Sequence, residues 1–382
     1  MAQPVKGNGV VVREYGKMAV EELTFLPPKH NQVRLKVKAC GLCQSDVSFL
    51  TGKLPAPLPM VLGHEGAGIV EAVGEGVSAM PGAVQVGDWA VLTLVMPCGR
   101  CLNCRAGKAS ICTDRASTFP IGGVLDKGGK PVMPETGLGC MAEYVVVHEA
   151  AVVKVGQDVP LPKCALVSCG VTTGVGAAMN CAKVNPGATC CVMGCGGVGL
   201  NAIQGCRICG AGQIIAVDTA PSKLEAAKRF GATHTVNAKE VTDVVQAVRK
   251  LSSGGADYSF EVIGYPETAK QAYDLVRAGG TAVMVGIPKP KDTLAIRPLE
   301  IISLEKHLVG SFMGSGVPAV QVPMLLELYK KGSLMLDELV SNYYCLQDAQ
   351  AAFDDLHNGK NLRGVIVMHD LETMASTPGS RL

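Results

Sequence analysis

The chain has 382 residues, 48% hydrophobic and 18% charged, with 35 Lys and Arg against 33 Asp and Glu and a formal net charge of +2. That composition excludes a disordered chain, and the near balance of charge leaves no broad basic face for nucleic acid. Forty-six glycines without a three-residue period exclude collagen, and with aromatics at 4% the bulk comes from Ala, Val, Leu and Ile, which suits a buried parallel sheet.

At about 100–200 residues per domain, the length predicts two domains. The N-terminal stretch MAQPVKGNGVVVREYG has no apolar run suited to a signal peptide. The first part alternates apolar and polar residues at Gly9–Val12 and Asn31–Ala39, the pattern of half-buried strands. Strand-like runs follow at Gly68–Val73, Trp89–Leu94 and Tyr144–Val147, predicting an irregular β domain. From Gly99 to about Met141 the pattern is poor, and a structureless loop of that length needs an anchor. Cys164–Ala182 and Val184–Cys206 are uncharged, but Gly, Thr, Asn and Pro186 break them, so buried core is expected and not membrane.

After about residue 170 strands and helices alternate. Strand 190–193 precedes GCGGVG and a helix over Leu200–Cys209; strand 214–218 precedes helix Lys223–Phe230; strand 234–237 precedes helix Val241–Leu251; strand 258–263 precedes helix Glu267–Arg277; strand 281–286 follows Gly279-Gly280. This alternation predicts a doubly wound parallel sheet. Beyond about 312, helices are expected at Ala319–Lys331 and Asp348–Asn358, then strand 364–368 returning to the first domain, then a loose tail from Glu372.

Gly194-Cys195-Gly196-Gly197-Val198-Gly199 follows a strand and opens a helix, and Asp218 ends the next strand. That context is the dinucleotide fingerprint: glycines for the tight turn, helix N–H groups for pyrophosphate. Asp218 accepts from ribose hydroxyls and repels a 2′-phosphate, so NAD is expected over NADP.

Cys98, Cys101, Cys104 and Cys112, spaced C-x2-C-x2-C-x7-C, suit a closed tetrahedral structural zinc that would anchor the loop. An iron–sulfur cluster or unligated thiols remain open from spacing alone. With sixteen cysteines and no signal peptide, free or metal-bound thiols in a reducing compartment are expected. Cys43, His64 and Cys169 have the chemistry of an open three-ligand zinc site, though spacing alone does not select them among 16 cysteines and 7 histidines.

GHEGAGIVEAVGEGV (63–77) fits G-H-E-x2-G-x5-G-x2-V in full. With the four-cysteine loop and the fingerprint in this order, the chain resembles the zinc-containing alcohol dehydrogenases of the medium-chain dehydrogenase superfamily from about residue 9 to 368. The resemblance implies an α/β protein: a GroES-like β-rich catalytic domain over 1–169 and 312–382, and an inserted Rossmann domain over 170–311. It implies two zinc ions per subunit, the catalytic one on Cys43, His64 and Cys169. Asp46 would orient His64, and Glu65 would stand beside the metal. NAD would be contacted by Gly194, Gly196, Gly197, Val198, Gly199, Asp218, Lys223, Thr173, Val285 and Ile287, with Arg363 on the pyrophosphate. The implied reaction is hydride transfer from a primary alcohol, aliphatic or aromatic, to NAD, reversibly giving the aldehyde, with the proton leaving through Ser45.

Two positions depart from the family. Ser48 stands where many relatives carry the histidine that ends the proton path, and Gln44 where several carry a pyrophosphate-binding cation. The neighbouring branch acts on S-(hydroxymethyl)glutathione; its acidic pair is replaced here by Leu54 and Ala56, and Arg115 lies one position off its arginine. That substrate is the second expectation, and a non-catalytic NAD- and zinc-binding protein a third. A homodimer or homotetramer joined along Rossmann sheet edges is implied, with Thr281–Ile287 and His307–Phe312 as apolar runs that serve the join or lie internally. The cytoplasm is the expected compartment. Ser380-Arg381-Leu382 is a variant of the S-K-L address and gives the peroxisomal matrix as the alternative.

Overall fold

A computed structural model of the chain describes residues 2–77, 83–119 and 122–368. The terminal tripeptide and the tail from Glu372 lie outside the described residues. The protein is an α/β chain with two compact units: Met1–Cys169 with Val317–Gly332 and Leu336–Leu382, and Gly170–Gly316 with Ser333–Met335.

The first unit is built on two sheets. Val5–Glu14 and Lys17–Phe25 form an antiparallel hairpin, turning at Gly16 where φ is +82°. Gln32–Gly41 is the hub of the larger sheet and pairs antiparallel with Glu65–Val73, Tyr144–His148 and Arg363–Val367. Alternation predicts a half-buried strand here, yet both faces are covered: Val33, Leu35 and Val37 are buried, and so is Arg34 at 1% exposure. The Arg34 guanidinium escapes the cost of burial by pairing with Glu71 at 2.5 Å and by donating to the carbonyls of Gln3, Phe25 and Leu26. The long loop is held by short elements. Leu102–Arg105 is helical, and the two-residue strand Met133–Pro134 pairs parallel with Met60–Val61.

The second unit carries six parallel strands, Thr189–Met193, Gln213–Asp218, His234–Asn237, Ala256–Glu261, Val276–Met284 and His307–Gly310. Numbered along the chain, they lie in the order 3-2-1-4-5-6, the doubly wound arrangement that binds at its switch point. Boundaries differ from the sequence pattern for local reasons. The helix expected from Val241 begins at Val244, because the Asp243 side chain accepts from Gln246 N and caps it. The fifth strand starts at Val276 and runs through Gly279-Gly280, so the helix before it stops at Leu275. His307–Gly310 and His234–Asn237 are the two edge strands of the sheet. The stretch Cys164–Ala182 breaks into three short helical pieces. Among the described residues no helix is long and apolar enough to cross a membrane.

The turn from Thr189–Met193 into the helix Gly197–Ile208 depends on a backbone crossing. A Cβ on Gly199 would lie 1.8 Å from the Gly194 carbonyl oxygen. Gly199→Ala is therefore expected to push the helix off the turn, destabilise the second unit by about 1–3 kcal/mol, and weaken dinucleotide binding. A urea titration with and without NAD checks both effects.

Candidate active site

Gln32–Gly41 delivers the chain to Cys43, the N-cap of helix Gln44–Leu50. Asp46 in that first turn accepts from the Cys43 amide through Oδ2 at 2.7 Å. Gly63 has φ of +97°, and a Cβ there would meet Met141 N at 2.5 Å, so only glycine lets the chain reach His64 along this path. Glu65 opens the next strand. Ser168 donates to the His64 carbonyl at 3.1 Å and also to that of Leu92, which brings the neighbouring Cys169 to the same place.

The candidate ligand atoms of Cys43, His64, Glu65 and Cys169 lie within 4.8 Å of one another, and all four residues are buried. Two thiols, an imidazole nitrogen and a carboxylate fit zinc, whose shell has Zn–S near 2.3 Å and Zn–N near 2.0 Å. Glu65 Oε1 is buried with no hydrogen-bond partner among the described residues. A cation beside the thiols would satisfy it.

The electrostatics carry the same signature. The hydrogen bond from Cys169 holds Cys43 well below the usual thiol range, and the same contact with burial pushes Cys169 well above it. Burial opposes charge on His64, but Asp46 and the two cysteines outweigh it and raise the ring. Burial lifts Glu65 to about 7 against the pull of Arg363.

His64 Nδ1 lies 2.8 Å from Asp46 Oδ1, the orienting contact the resemblance implies. It also lies 2.9 Å from Glu135 Oε1, a contact sequence reading missed. Glu135 is fully buried, sits in the loop with no periodic pattern and belongs to no motif. Its carboxyl is pushed up to about 8 by burial and then by Asp46. The ladder between Met60–Val61 and Met133–Pro134, with the amides of Cys140 and Met141 bonded to the Gly63 and Leu62 carbonyls, brings it here.

Ser45 Oγ stands 3.0 Å from Cys43 Sγ and 3.5 Å from His64 Nε2. Ser48 turns back and donates to the Gln44 carbonyl at 3.3 Å, while the Gln44 side chain is exposed. Arg363 is 5% exposed and its guanidinium is ion-paired with Glu65. The pyrophosphate role implied for it is thus set against an existing buried partner.

Cys98, Cys101, Cys104 and Cys112 bring their sulfurs within 4.8 Å of one another. The amides of Cys101 and Cys104 donate to Cys98 Sγ at 3.3 Å and Cys101 Sγ at 3.4 Å, the support that thiolates need. Backbone donors from Cys104 and Thr113 pull Cys101 to about 5, and burial pushes Cys104 up to about 12. None of the sixteen cysteines is in a disulfide. Four sulfurs with no further donor fit a closed structural zinc.

In the second unit, Gly196 caps the helix that Gly197, Val198 and Gly199 open, and a Cβ on Gly196 would meet nothing within 4 Å. That open face and the helix N-terminus fit a pyrophosphate. Asp218 Oδ2 accepts from Cys195 N at 2.8 Å, and Oδ1 from Thr219 N and Ala220 N, so the carboxylate also fixes the turn. Lys223 lies in the first turn of helix Pro221–Phe230. Thr173 is buried and donates to Met313 Sδ. Val285 N donates to the Glu261 carbonyl, and Ile287 is 54% exposed.

Two family models match: the alcohol dehydrogenase GroES-like domain over residues 29–158 and the zinc-binding dehydrogenase domain over 197–331. Alcohol dehydrogenase class-3 of Drosophila melanogaster is 38% identical over 360 residues, covering 91% of this chain and 94% of that protein. An alcohol dehydrogenase zinc-binding domain protein from Burkholderia ambifaria superposes with a TM-score of 0.91 at 33% identity, covering 96% of this chain and 100% of that one. Benzyl alcohol dehydrogenase from Acinetobacter calcoaceticus superposes with a TM-score of 0.88 at 34% identity, covering 96% and 100%.

Without a metal, burial makes Glu65 and Glu135 hold protons in the folded chain up to about pH 7 and about pH 8, against 4.5 in an unconstrained carboxyl, and a cation in the site would release them. Their contribution to stability is fully present below about pH 4.5 and lost as pH rises through those folded values. Zinc-stripped protein should therefore lose stability between pH 5 and pH 8.5, by on the order of 3 kcal/mol per carboxyl. Glu65→Gln should flatten the profile. Urea midpoints across this window check it, and an unchanged slope contradicts the assignment.

Proposed function

The chain belongs to the zinc-containing alcohol dehydrogenase family of the medium-chain dehydrogenase superfamily, and from that premise we propose that it oxidises a primary alcohol, aliphatic or aromatic, to the aldehyde with NAD. The observation that supports this most is the buried set of Cys43, His64, Glu65 and Cys169, two thiols, an imidazole and a carboxylate within one ligand shell. Zinc held by Cys43, His64 and Cys169 would supply a Lewis acid that makes a substrate hydroxyl acidic, and NAD bound at the glycine turn would supply the hydride acceptor.

The remaining work falls to the chain's own residues. Asp46 holds the His64 ring through Nδ1, which leaves Nε2 for the metal. Ser45 Oγ is beside both Cys43 and His64 and is half-buried, a position from which it takes the hydroxyl proton and passes it outward. Ser48 is engaged within its own helix, so the path beyond Ser45 does not use it as a fixed acceptor. Asp218 at the end of its strand favours an unphosphorylated adenosine ribose, hence NAD.

The class-3 relative supports a second reading, S-(hydroxymethyl)glutathione as substrate. Against it stand Leu54 and Ala56 in place of acidic residues, and Arg115, whose guanidinium donates to the Ser110 carbonyl. For quaternary structure we propose a second copy paired along the edge strand His307–Gly310, where Leu308 is 40% exposed, while Leu299 and Ile302 of the preceding helix Pro298–Leu304 are 73% and 74% exposed. The reducing cytoplasm is the compartment that suits sixteen cysteines without a disulfide, with peroxisomal import the alternative that the terminal tripeptide offers.

NADH formation at 340 nm with hexanol, benzyl alcohol, cinnamyl alcohol, and formaldehyde plus glutathione tests the substrate. Turnover of the simple alcohols with NAD is expected, with NADP poor, and Ser45→Ala should lower kcat by about 10²–10⁴-fold. Activity confined to formaldehyde with glutathione would transfer the protein to the second reading, and zinc retention with no turnover at all would favour a non-catalytic role. Sedimentation should show an oligomer that Leu308→Lys shifts toward monomer; an unchanged mass removes that edge as the join.

A further inference from the structure

We propose that Glu135 is a positioning residue of the metal site: with Asp46 its carboxyl shares the Nδ1 proton of His64, and once a cation occupies the site it sets a second negative charge one imidazole ring away from the metal. The inference rests on the reading that Cys43, His64 and Cys169 hold zinc.

Both oxygens of Glu135 are engaged. Oε1 lies 2.9 Å from His64 Nδ1, and Oε2 accepts from Gly63 N at 2.8 Å. Asp46 does the same from its own element, with Oδ1 at 2.8 Å from Nδ1 and Oδ2 at 2.7 Å from Cys43 N. Each carboxylate thus ties the ring to the backbone at or beside a ligand. A proton held on Nδ1 by two acceptors leaves the Nε2 lone pair free for a metal.

The arrangement is costly. Glu135 and Asp46 are both fully buried, and their carboxylates lie within 4.8 Å of each other and of the ring. Gly63 N could be satisfied by a neutral amide without burying a second like charge. The backbone is also bent to hold the residue in place. Thr136, which is not glycine, has φ of 52°, and Gly137 follows at +83°. Leu138 N donates to the Glu135 carbonyl at 2.8 Å, and Thr136 Oγ1 donates to it at 2.7 Å. On one side Met133–Pro134 pairs with Met60–Val61; on the other Cys140 N and Met141 N donate to Gly63 and Leu62 at 2.8 Å. Glu135 falls in the gap between these two clasps, where the chain turns through left-handed conformations. Local strain of this kind persists where surrounding contacts over-determine it, and it clusters at functional sites.

Negative charge behind a metal-bound imidazole strengthens its donation and slows loss of the metal. The test is release of zinc to a chromogenic chelator from wild type, Glu135→Gln and Glu135→Asp, with the absorption spectrum of the cobalt-substituted proteins alongside. Wild type should release metal in two phases. Glu135→Gln should accelerate the phase belonging to Cys43, His64 and Cys169 by about 10-fold and shift its cobalt bands, while the four-cysteine phase stays unchanged and reports that the unit is folded. Glu135→Asp, which keeps the charge, should lie closer to wild type. Equal release and spectra in Glu135→Gln and wild type overturn the proposal. So does equal acceleration in both variants, which marks a role of shape alone. A wild-type chain with only the four-cysteine phase overturns the site reading, and the proposal with it.

Discussion

A cluster of buried acids around one imidazole governs the first unit. Asp46, Glu65 and Glu135 are at most 1% exposed, and the thiols of Cys43 and Cys169 lie among them. Isolated charges in such a place are prohibitively costly, so each oxygen must be answered. Asp46 is answered by Cys43 N and His64, Glu135 by Gly63 N and His64, and Glu65 by Arg363 on one oxygen only. The residual demand is for a cation, and the residues that impose it are those with the donor chemistry for zinc. Local backbone shape follows from this demand. The helix cap at Cys43 and the left-handed Gly63 both exist where a backbone amide must face a carboxylate.

The second unit solves a different problem with neutral means. Its turn needs close backbone approach and unpaired helix N–H groups, not compensated charge, and glycine supplies both. Asp218 ties that turn to the end of its strand, because its carboxylate gathers the Cys195, Thr219 and Ala220 amides.

Much of this was legible in the sequence, for identifiable reasons. The glycine fingerprint, the four-cysteine spacing and the strand–helix alternation are local signals, and they place elements to within a few residues. The candidate metal ligands Cys43, His64 and Cys169 needed a family resemblance, since a cysteine or histidine in isolation carries no local pattern. Glu135 was invisible because its neighbours Gly63 and His64 are some seventy positions away and the segments are joined only by a two-residue ladder and a few backbone bonds, which leave no pattern in the sequence. Arg34 misled in the opposite way. A cation in an alternating strand predicts an exposed face, and nothing local announces that Glu71 and three carbonyls will cover it. Arg363 was named for a cofactor contact, while the structure gives it a carboxylate partner 298 positions upstream.

That last separation bears on how the protein is made. The strand Arg363–Val367 pairs with the end of Gln32–Gly41, and Gly364 receives the Leu42 amide just before Cys43. The whole second unit lies between these partners in the chain. At about 5–20 residues per second on the ribosome, the early strands wait on the order of tens of seconds for their last neighbour. Throughout that interval Glu65 has no guanidinium to meet. The nascent first unit therefore lacks its last strand, and Glu65 its ion pair, until residues 363–367 have been made.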